Sequence, residues 1–297
     1  MPPFRLDLTV WVLRRRPHNL VDRWDGRVYR RVLTLEDQPA EVAVTQTGTD
    51  SAPTIQVEVK GVEAAPQTSS ILTAALTRIL GLQADLSGFY RMAAQDSLLE
   101  PLAREFRGFK PPRYPSLFEA LVNGIACQQI SLTVGIHLLN RLAANYGLQF
   151  SGEDGPPSAF PRPQDLAASS PGDLRSLGFS RQKEAFLVEL SQRIIRENLD
   201  LEVMANLDDA AALEQLRSFK GIGRWTGEYA LLRGLGRWHL FPGDDVGARH
   251  RLGKWLGLPE PLDYSGVRRI LDRFQPYGGL LYFHFLLQRL AQEGHLG

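Results

Sequence analysis

Two adjacent carboxylates follow a short proline–glycine turn in the last quarter of the chain. Asp244 and Asp245 come directly after Phe241-Pro242-Gly243 and precede a stretch with helical spacing. An aspartate at the start of a helix is usually its N-cap, and one helix needs only one cap. One of the two carboxylates is therefore left free for another task. A second solvated aspartate is the simpler alternative.

A glycine-containing hairpin precedes these carboxylates. Leu216 to Gly227 contains the end of one helix, a tight turn with Gly221 and Gly223, and the start of another helix. Glycines permit a tight turn and a close approach of a ligand to the backbone. The N–H groups at the start of the second helix can bind a phosphate oxygen, a contact that is independent of base sequence. Taken alone, the motif is more typical of an ordinary turn between helices.

Aromatic side chains lie beside both features. Trp225 and Tyr229 are four residues apart and therefore share one face of the second helix. Such a face can stack on a flat ligand, or it can pack into the core.

Composition excludes cysteine-based sites and bears on where in the cell the protein acts. The single cysteine, Cys127, cannot build a disulfide framework, a structural zinc site or a four-cysteine iron–sulfur cluster. The net charge of +1 does not by itself indicate a nucleic-acid partner, although residues 217–297 carry 12 Lys/Arg and 7 Asp/Glu. Apolar runs are too short to span a bilayer, and the N-terminal arginines follow the apolar stretch, opposite to a secretory signal. We expect a cytoplasmic protein, associated with the nucleoid if bacterial.

The elements that position these residues fall into two groups, which predicts an α+β protein. Apolar residues alternate with polar ones from Phe4 to Val12 and from Thr54 to Lys60, with further strands at Val28 to Leu35 and Glu41 to Thr45. We expect a small antiparallel sheet with one buried face and place Arg14-Arg15-Arg16 at a solvated strand end. Residues 1–68 form this sheet domain with a flanking helix, and residues 69–297 form an all-helical core in two subdomains with the pocket and Asp245 between them.

Capping signals mark several helices in the second group. We predict a helix that has Ser70 as its N-cap and ends just before Gly81. A capping box at Ser116 and Glu119 opens a long helix that reaches about Tyr146. Residues 151–163 are rich in Gly and Pro and predict a loop. Further helices are predicted at 172–177, 181–197, 208–218, 224–234, 245–256, 265–274 and 277–292.

Taken together, these features resemble the helix-hairpin-helix DNA glycosylase superfamily, and within it the 3-methyladenine DNA glycosylase II group. The resemblance covers about residues 70–290. Its most specific parts are the hairpin with Trp225-Thr226 and the Phe241-Pro242 to Asp245 element, supported by Leu80-Gly81-Leu82, Asp85 to Tyr90 and Ile125 to Ser131.

The resemblance implies a role for each matching residue. Asp245 matches the catalytic aspartate, which stabilises positive charge on the sugar while water displaces the base. With Asp245 in that role, we assign Asp244 to capping and helix-end electrostatics. Trp225 and Tyr229 match pocket aromatics, and Tyr277 fills a position that is tryptophan in the best-known members. The DNA-binding residues implied are Gly221, Gly223, Arg224 and Thr226 in the hairpin, with Ile130 as the side chain inserted into the duplex and Gln129 beside it. The backbone carbonyls of Arg217, Phe219 and Ile222 match those that hold a monovalent cation, Na⁺ or K⁺.

The implied activity is excision of alkylated bases, such as 3-methyladenine and 7-methylguanine, from double-stranded DNA in base excision repair. Members with lyase activity carry a lysine where this chain has Trp225, so we expect a monofunctional hydrolase that requires no cofactor and acts as a monomer away from membranes. Two alternatives stay open: a non-catalytic helix-hairpin-helix module that binds damaged DNA, and a glycosylase for oxidised bases. Only the enzymes need a carboxylate at Asp245.

Overall fold

The structure, a computed structural model, describes residues 2–63, 65–151 and 157–296. Its described part has an N-terminal helix, a four-stranded antiparallel sheet and a long helical region, which confirms the predicted α+β class. The sheet elements follow the first helix in the order α1 (Leu6–Arg14), β1 (Arg23–Trp24), β2 (Val28–Leu35), β3 (Gln38–Thr49) and β4 (Ala52–Lys60).

The helical region begins directly after the sheet. Its helices are α2 (Pro66–Ile79), α3 (Ser87–Ala93), α4 (Leu99–Glu105), α5 (Leu117–Cys127), α6 (Leu132–Tyr146), α7 (Pro163–Ala167), α8 (Asp173–Ser176), α9 (Arg181–Arg196), α10 (Asp209–Arg217), α11 (Arg224–Arg233), α12 (Val246–Trp255), α13 (Tyr264–Leu271) and α14 (Gly278–Gln292). Short 3₁₀ helices lie at Leu201–Asn206 and Asp272–Phe274. Within the described ranges, no helix is long and apolar enough to cross a membrane.

The sheet is a meander in which each strand pairs with the next. Its order is β1-β2-β3-β4, and Val44 lies between Tyr29 on β2 and Val57 on β4. One face of β3 is buried, as predicted from the alternating pattern. The edge strand β4 differs from the prediction, because Val57 and Val59 are 40% and 37% exposed and Ile55 is only half-buried. Because β4 is an edge strand, it has a neighbouring strand on one side only, and its side chains are covered less than those of β3.

The first predicted strand is wrong, because Leu6–Arg14 is the helix α1. Leu6, Val10 and Leu13 join one buried cluster, whereas Leu8 and Val12 join another. Their spacings of three and four residues are those of a helix whose two sides meet two cores. Since both sides are apolar, the sequence also shows an alternation that is typical of a strand.

The long helix predicted from Ser116 to Tyr146 is two helices, α5 and α6, separated by residues 128–131. Ser116 does cap α5, with its hydroxyl accepting from the Glu119 amide at 3.1 Å, and Ser131 caps α6 in the same manner. Between them, Gln129 has a φ of +55°, outside the helical region. The Lys183 ammonium on α9 donates to the carbonyls of Ala126 and Gln128, both at 2.8 Å, and so satisfies the end of α5.

The remaining predicted helices lie close to their predicted positions, whereas α3, α4 and α7 were not predicted individually. The first helix of this region starts earlier than predicted, at Pro66 rather than after Ser70, and ends as predicted before Gly81, which has a φ of +61°. Part of the predicted loop at 151–163 lies outside the described residues, and α7 begins at its last position, Pro163.

Two buried apolar clusters organise the helices. The first joins the sheet to α2, α5, α6, α9 and α10, and contains Tyr29, Val42 and Leu121. The second joins α3 and α4 to α12, α13 and α14, and contains Phe89 and Phe283. Helix α11 contributes to both. A cleft opens on one side of α11, where the two clusters meet.

Candidate active site

The Asp245 carboxylate lines the cleft and is held by three donors. Its Oδ1 accepts the Ala248 amide at 2.9 Å, which makes Asp245 the N-cap of α12. Its Oδ2 accepts from the Trp225 indole N–H at 3.3 Å and from the Tyr282 hydroxyl at 2.8 Å. Assigning the cap to Asp244 was therefore wrong. Asp245 both caps α12 and presents a carboxylate oxygen at the cleft, because its two oxygens point in different directions.

Asp244 instead forms an ion pair. Its two oxygens accept from Arg224 Nε and Nη2 at 2.6 and 2.9 Å, and the Arg224 guanidinium lies 3.6 Å from the centre of the Tyr264 ring. Arg224, predicted to bind DNA, is exposed at the start of α11, so the pair stands at the rim of the cleft.

The cleft encloses about 880 Å³ and brings most of the predicted site residues together. Its walls come from five places in the sequence: the end of α1, the loop between α5 and α6, one side of α11 with the turn before it, the first part of α12 with the turn before it, and one face of α14. The α14 residues in the wall are Tyr282, Phe285, Leu286 and Arg289, whose spacing is that of a single helix face. That spacing is the sequence signal that would have identified them.

Two of the three predicted aromatic residues face the cleft. Trp225 and Tyr229 stack with ring centres 5.6 Å apart and an interplanar angle of 27°. The Tyr229 hydroxyl lies within hydrogen-bond distance of the Tyr114 hydroxyl at 2.9 Å and accepts from Arg15 Nη1 at 3.0 Å. These contacts fix the Tyr229 ring.

The third, Tyr277, is not among the residues that line the cleft. It precedes α14 and packs edge-on against Phe89, with ring centres 5.8 Å apart, in the second buried cluster. Tyr282, little more than one turn further on, is the α14 tyrosine that reaches Asp245. Burial and the nearby Asp245 charge raise the pKa of the Tyr282 hydroxyl well above its usual value, so this group stays a hydrogen-bond donor.

The hairpin between α10 and α11 contains two glycines in different surroundings. Gly221 has a φ of +83°, and a Cβ there would lie 2.2 Å from the Phe186 ring. Gly223 is the N-cap of α11, and a Cβ there would meet nothing within 4 Å. The space outside Gly223 is therefore open, and the first N–H groups of α11 point into it without partners inside the helix.

Thr226, also predicted to bind DNA, is 1% exposed. Its hydroxyl accepts from the Gln128 side-chain amide at 2.9 Å, and the same amide donates to the Gly221 carbonyl at 2.9 Å. The Thr226 side chain is thus internal, and only its N–H belongs to the open end of α11. Gln128, which sequence reasoning did not assign, joins the hairpin to the loop between α5 and α6.

That loop, residues 128–131, carries the side chains predicted to enter the duplex and is named the wedge loop below. Gln129 and Ile130 are exposed at its tip beside the cleft. Positive φ at a residue other than glycine carries strain that surrounding contacts must hold in place. Here the Lys183 and Gln128 hydrogen bonds hold it.

The three consecutive arginines expected at a solvated strand end are all buried. Arg14, Arg15 and Arg16 are 5%, 5% and 6% exposed. Arg15 ends α1 with a φ of +61° and lines the cleft, where Nη2 donates to Asn123 Oδ1 at 2.5 Å. The prediction failed because α1 runs through the molecule rather than along its surface.

Glu228 supports the Asp245 segment from behind. Its buried carboxylate accepts from the Tyr264 hydroxyl at 2.5 Å and from the Gly243 amide at 3.2 Å. Burial raises the pKa of Glu228, while the Tyr264 hydrogen bond opposes that shift. The contacts fix the turn before Asp244 and place Glu228 away from the cleft.

The carbonyls predicted to hold a cation lie at the end of α10 and in the hairpin. The Phe219 oxygen accepts the Ile222 amide at 3.2 Å and keeps a second lone pair, and neutral carbonyls are donors that suit K⁺. Arg193 donates to the Ser218 carbonyl at 3.1 Å beside them. Among the described residues, no cluster of three His, Cys, Asp or Glu side chains could hold a metal, so a cation at Arg217, Phe219 and Ile222 would rest on backbone oxygens.

Comparison with known proteins identifies relatives of the region that forms the site. Residues 122–276 match the family described as HhH-GPD superfamily base excision DNA repair protein. The chain is 32% identical over 171 residues to the DNA-3-methyladenine glycosylase of Bacillus subtilis, which covers 58% of this chain and 56% of that protein. It is 29% identical over 178 residues to DNA-3-methyladenine glycosylase 2 of Escherichia coli, covering 60% and 59%.

The chain thus spans a little over half the length of these curated relatives. A solved structure extends the similarity further. The 3-methyladenine DNA glycosylase from Archaeoglobus fulgidus has a TM-score of 0.85 and 26% sequence identity, with 97% of this chain and 96% of that chain covered.

Proposed function

The chain belongs to the HhH-GPD superfamily of base excision DNA repair proteins, and we propose that it is a monofunctional DNA glycosylase that hydrolyses the N-glycosidic bond of alkylated bases in duplex DNA. Membership confirms the resemblance stated from the sequence. The observation that carries the proposal is the Asp245 carboxylate, fixed by Trp225 and Tyr282 in an aromatic cleft between the hairpin and the wedge loop.

The cleft suits a nucleotide that has been rotated out of the duplex. A base inside the stack cannot reach Asp245, so the enzyme must extrude it at a cost of a few kcal/mol. Gln129 and Ile130 stand at the rim where a side chain would fill the space that the base leaves. The strained backbone at Gln129 supports a functional role for the loop tip.

Asp245 would act on the sugar rather than on the base. Breaking the N-glycosidic bond gives the deoxyribose ring positive charge, which a fixed carboxylate stabilises without reorganising. The same carboxylate can orient or deprotonate the attacking water. The Trp225 and Tyr282 donors keep Oδ2 in one position throughout, and Ala248 holds Oδ1.

The walls of the cleft support alkylated purines as substrates. A base such as 3-methyladenine or 7-methylguanine carries positive charge, leaves readily and stacks on electron-rich rings by about 0.5–2 kcal/mol per contact. Trp225 and Tyr229 present such rings. None of the described residues lining the cleft is lysine, which supports a water-dependent reaction rather than a Schiff base with the sugar.

The hairpin would hold the DNA backbone. The open end of α11 beyond Gly223 provides amide donors for a phosphate, with Arg224 at the rim. The carbonyls of Arg217, Phe219 and Ile222 would hold Na⁺ or K⁺, which supplies positive charge between hairpin and phosphate. We propose that the protein binds damaged duplex DNA as a monomer.

The test is base release from methylated duplex DNA under single-turnover conditions. We expect the wild type to release free 3-methyladenine and 7-methylguanine, and Asp245→Asn to release them at least 10²–10³-fold more slowly while still binding the DNA. Asp244→Asn is the matched control, because that carboxylate contacts Arg224 and not the cleft donors.

Two other outcomes would each replace the proposal. A wild type that binds such DNA and releases no base from alkylated, oxidised or deaminated substrates is a non-catalytic binding module. A wild type that releases only oxidised bases is a glycosylase for oxidised bases rather than for alkylated ones.

A further inference from the structure

Three arginines from distant parts of the chain meet beside the cleft. Arg251 on α12 and Arg289 on α14 are half-buried wall residues of the cleft. Arg16, which follows the end of α1, reaches the same place, because Arg16 and Arg289 both contact the Glu293 carboxylate, at 3.3 and 2.6 Å. Arg16, Arg251 and Arg289 are named the arginine cluster below.

The arginine cluster carries more positive charge than its surroundings neutralise. Within the described part of the chain, Glu293 is the carboxylate that pairs with Arg16 and Arg289, and no carboxylate forms a salt bridge with Arg251. Burial and the charge of Arg289 lower the pKa of Arg251, and the charge of Asp245 opposes that shift. Like charges held close together repel each other, so an anionic ligand at this place would be stabilised.

The cluster lies next to the carboxylate proposed to act on the sugar. Arg251 is on the helix that Asp245 begins, and Arg289 lies about two turns after Tyr282 on the face of α14 that lines the cleft. A base that carries positive charge would be repelled by guanidinium groups. The DNA groups that suit them are phosphates, which accept paired hydrogen bonds from arginine.

We propose that the arginine cluster binds a phosphate that flanks the extruded nucleotide, as a phosphate site separate from the hairpin. Arg251 and Arg289 contact the phosphate, and the buried Arg16 adds positive charge behind them. Arg224 of the hairpin belongs to a different group, because it pairs with Asp244 and stacks on Tyr264. The inference rests on the proposed glycosylase function and adds how the backbone at the damaged nucleotide is bound.

The first measurement is binding to duplex DNA that contains a tetrahydrofuran abasic-site analogue, at several salt concentrations. We expect Arg251→Gln to lower the affinity about 10-fold and to reduce the slope of log K against log salt concentration by about 1. Arg251→Lys keeps the charge and should keep the wild-type slope. Arg27→Gln, at an exposed arginine in the turn between β1 and β2 that does not line the cleft, should match wild type in both quantities.

The second measurement locates the phosphate. Each of the two phosphates that flank the analogue is replaced in turn by an uncharged methylphosphonate. At one of them, we expect the wild type to lose affinity about 10-fold and Arg251→Gln to lose no more, because its contact is already gone. Arg224→Gln should lose affinity there as the wild type does, since the hairpin binds another phosphate.

Circular dichroism and thermal denaturation show whether the variants fold. If Arg251→Gln does not fold, Arg289→Gln replaces it, with the same expected results. A methylphosphonate that weakens the wild type and a folded cluster variant equally, or that weakens neither at both positions, overturns the inference. Base release by the wild type then leaves the glycosylase function standing, whereas a wild type that releases no base overturns that function instead.

Discussion

At the scale of single residues, the site depends on one carboxylate whose two oxygens have separate partners. Asp245 Oδ1 begins α12, and Asp245 Oδ2 receives hydrogen bonds across the cleft from Trp225 and Tyr282. Its position is thus set by a helix end on one side and by two aromatic side chains on the other. A group held in this way need not reorganise when charge develops on the sugar.

The Tyr282 hydroxyl gives the first test at this scale. Tyr282→Phe keeps the ring and removes the donor to Asp245, and since such a bond contributes about 1.5–3 kcal/mol, we expect base release to slow about 10- to 100-fold. Single-turnover rates with methylated DNA measure it. Tyr277→Phe is the control and should stay within about twofold of wild type, because Tyr277 packs outside the cleft. Equal effects of the two changes would contradict the placement described above.

At the scale of elements, the two loops proposed to contact DNA are joined to each other. The Gln128 side chain connects the wedge loop to the hairpin through Gly221 and Thr226. Lys183 on α9 holds the wedge loop from the other side. The two contacts proposed with DNA, insertion of a wedge-loop side chain into the stack and binding of a phosphate by the hairpin, are therefore kept at a fixed separation.

Gln128→Leu tests this connection. It removes two hydrogen bonds of about 1 kcal/mol each, and we expect affinity for duplex DNA with an abasic-site analogue to fall about 10-fold. Fluorescence anisotropy at fixed salt measures it. Gln149→Leu, at an exposed glutamine away from both loops, should bind as wild type. Wild-type affinity in Gln128→Leu would show that the loops hold their positions independently.

At the scale of the whole molecule, the N-terminal helix and sheet are part of the same packed body as the helices around the cleft. Helix α1 contributes to both buried clusters and delivers Arg15 to the cleft. The buried Arg31 on β2 pairs with Asp22 and with Glu119 on α5, which joins sheet to helices. Breaking such a pair typically costs about 3–5 kcal/mol.

A buried histidine gives this body a defined dependence on pH. His284 on α14 is 2% exposed among Phe89, Phe106 and Phe109, and burial lowers its pKa to about 4. The unfolded chain therefore binds a proton near pH 6.5 while the folded chain does not, so stability falls as the pH drops from about 6.5 to 4.

We expect the free energy of unfolding of wild type to fall by about 2–3 kcal/mol more than that of His284→Phe between pH 7.5 and 4.5. Urea denaturation at the two pH values measures the difference. His250→Ala, at an exposed histidine, should follow wild type. Parallel pH profiles for wild type and His284→Phe would show that His284 takes up its proton in the folded state.

The sequence alone determined what local chemistry encodes. The hairpin, the start of α12 and the Trp225–Tyr229 pair were predicted because glycine turns, capping residues and helical spacing are properties of neighbouring residues. Most helices after Gly81 follow for the same reason. These signals did not distinguish the two aspartates: the family resemblance singled out Asp245, and the cap was assigned to Asp244 although Asp245 holds it.

Tertiary structure decided the rest, since the deciding contacts join distant parts of the chain. Helix α1 alternates in sequence like a strand, and only its burial between two cores shows it to be a helix. Arg15 reaches the cleft because α1 crosses the molecule, and Tyr282 rather than Tyr277 meets Asp245 because of how α14 packs. The path of a helix through the core depends on the elements that pack against each of its sides. One stretch of sequence does not specify those elements.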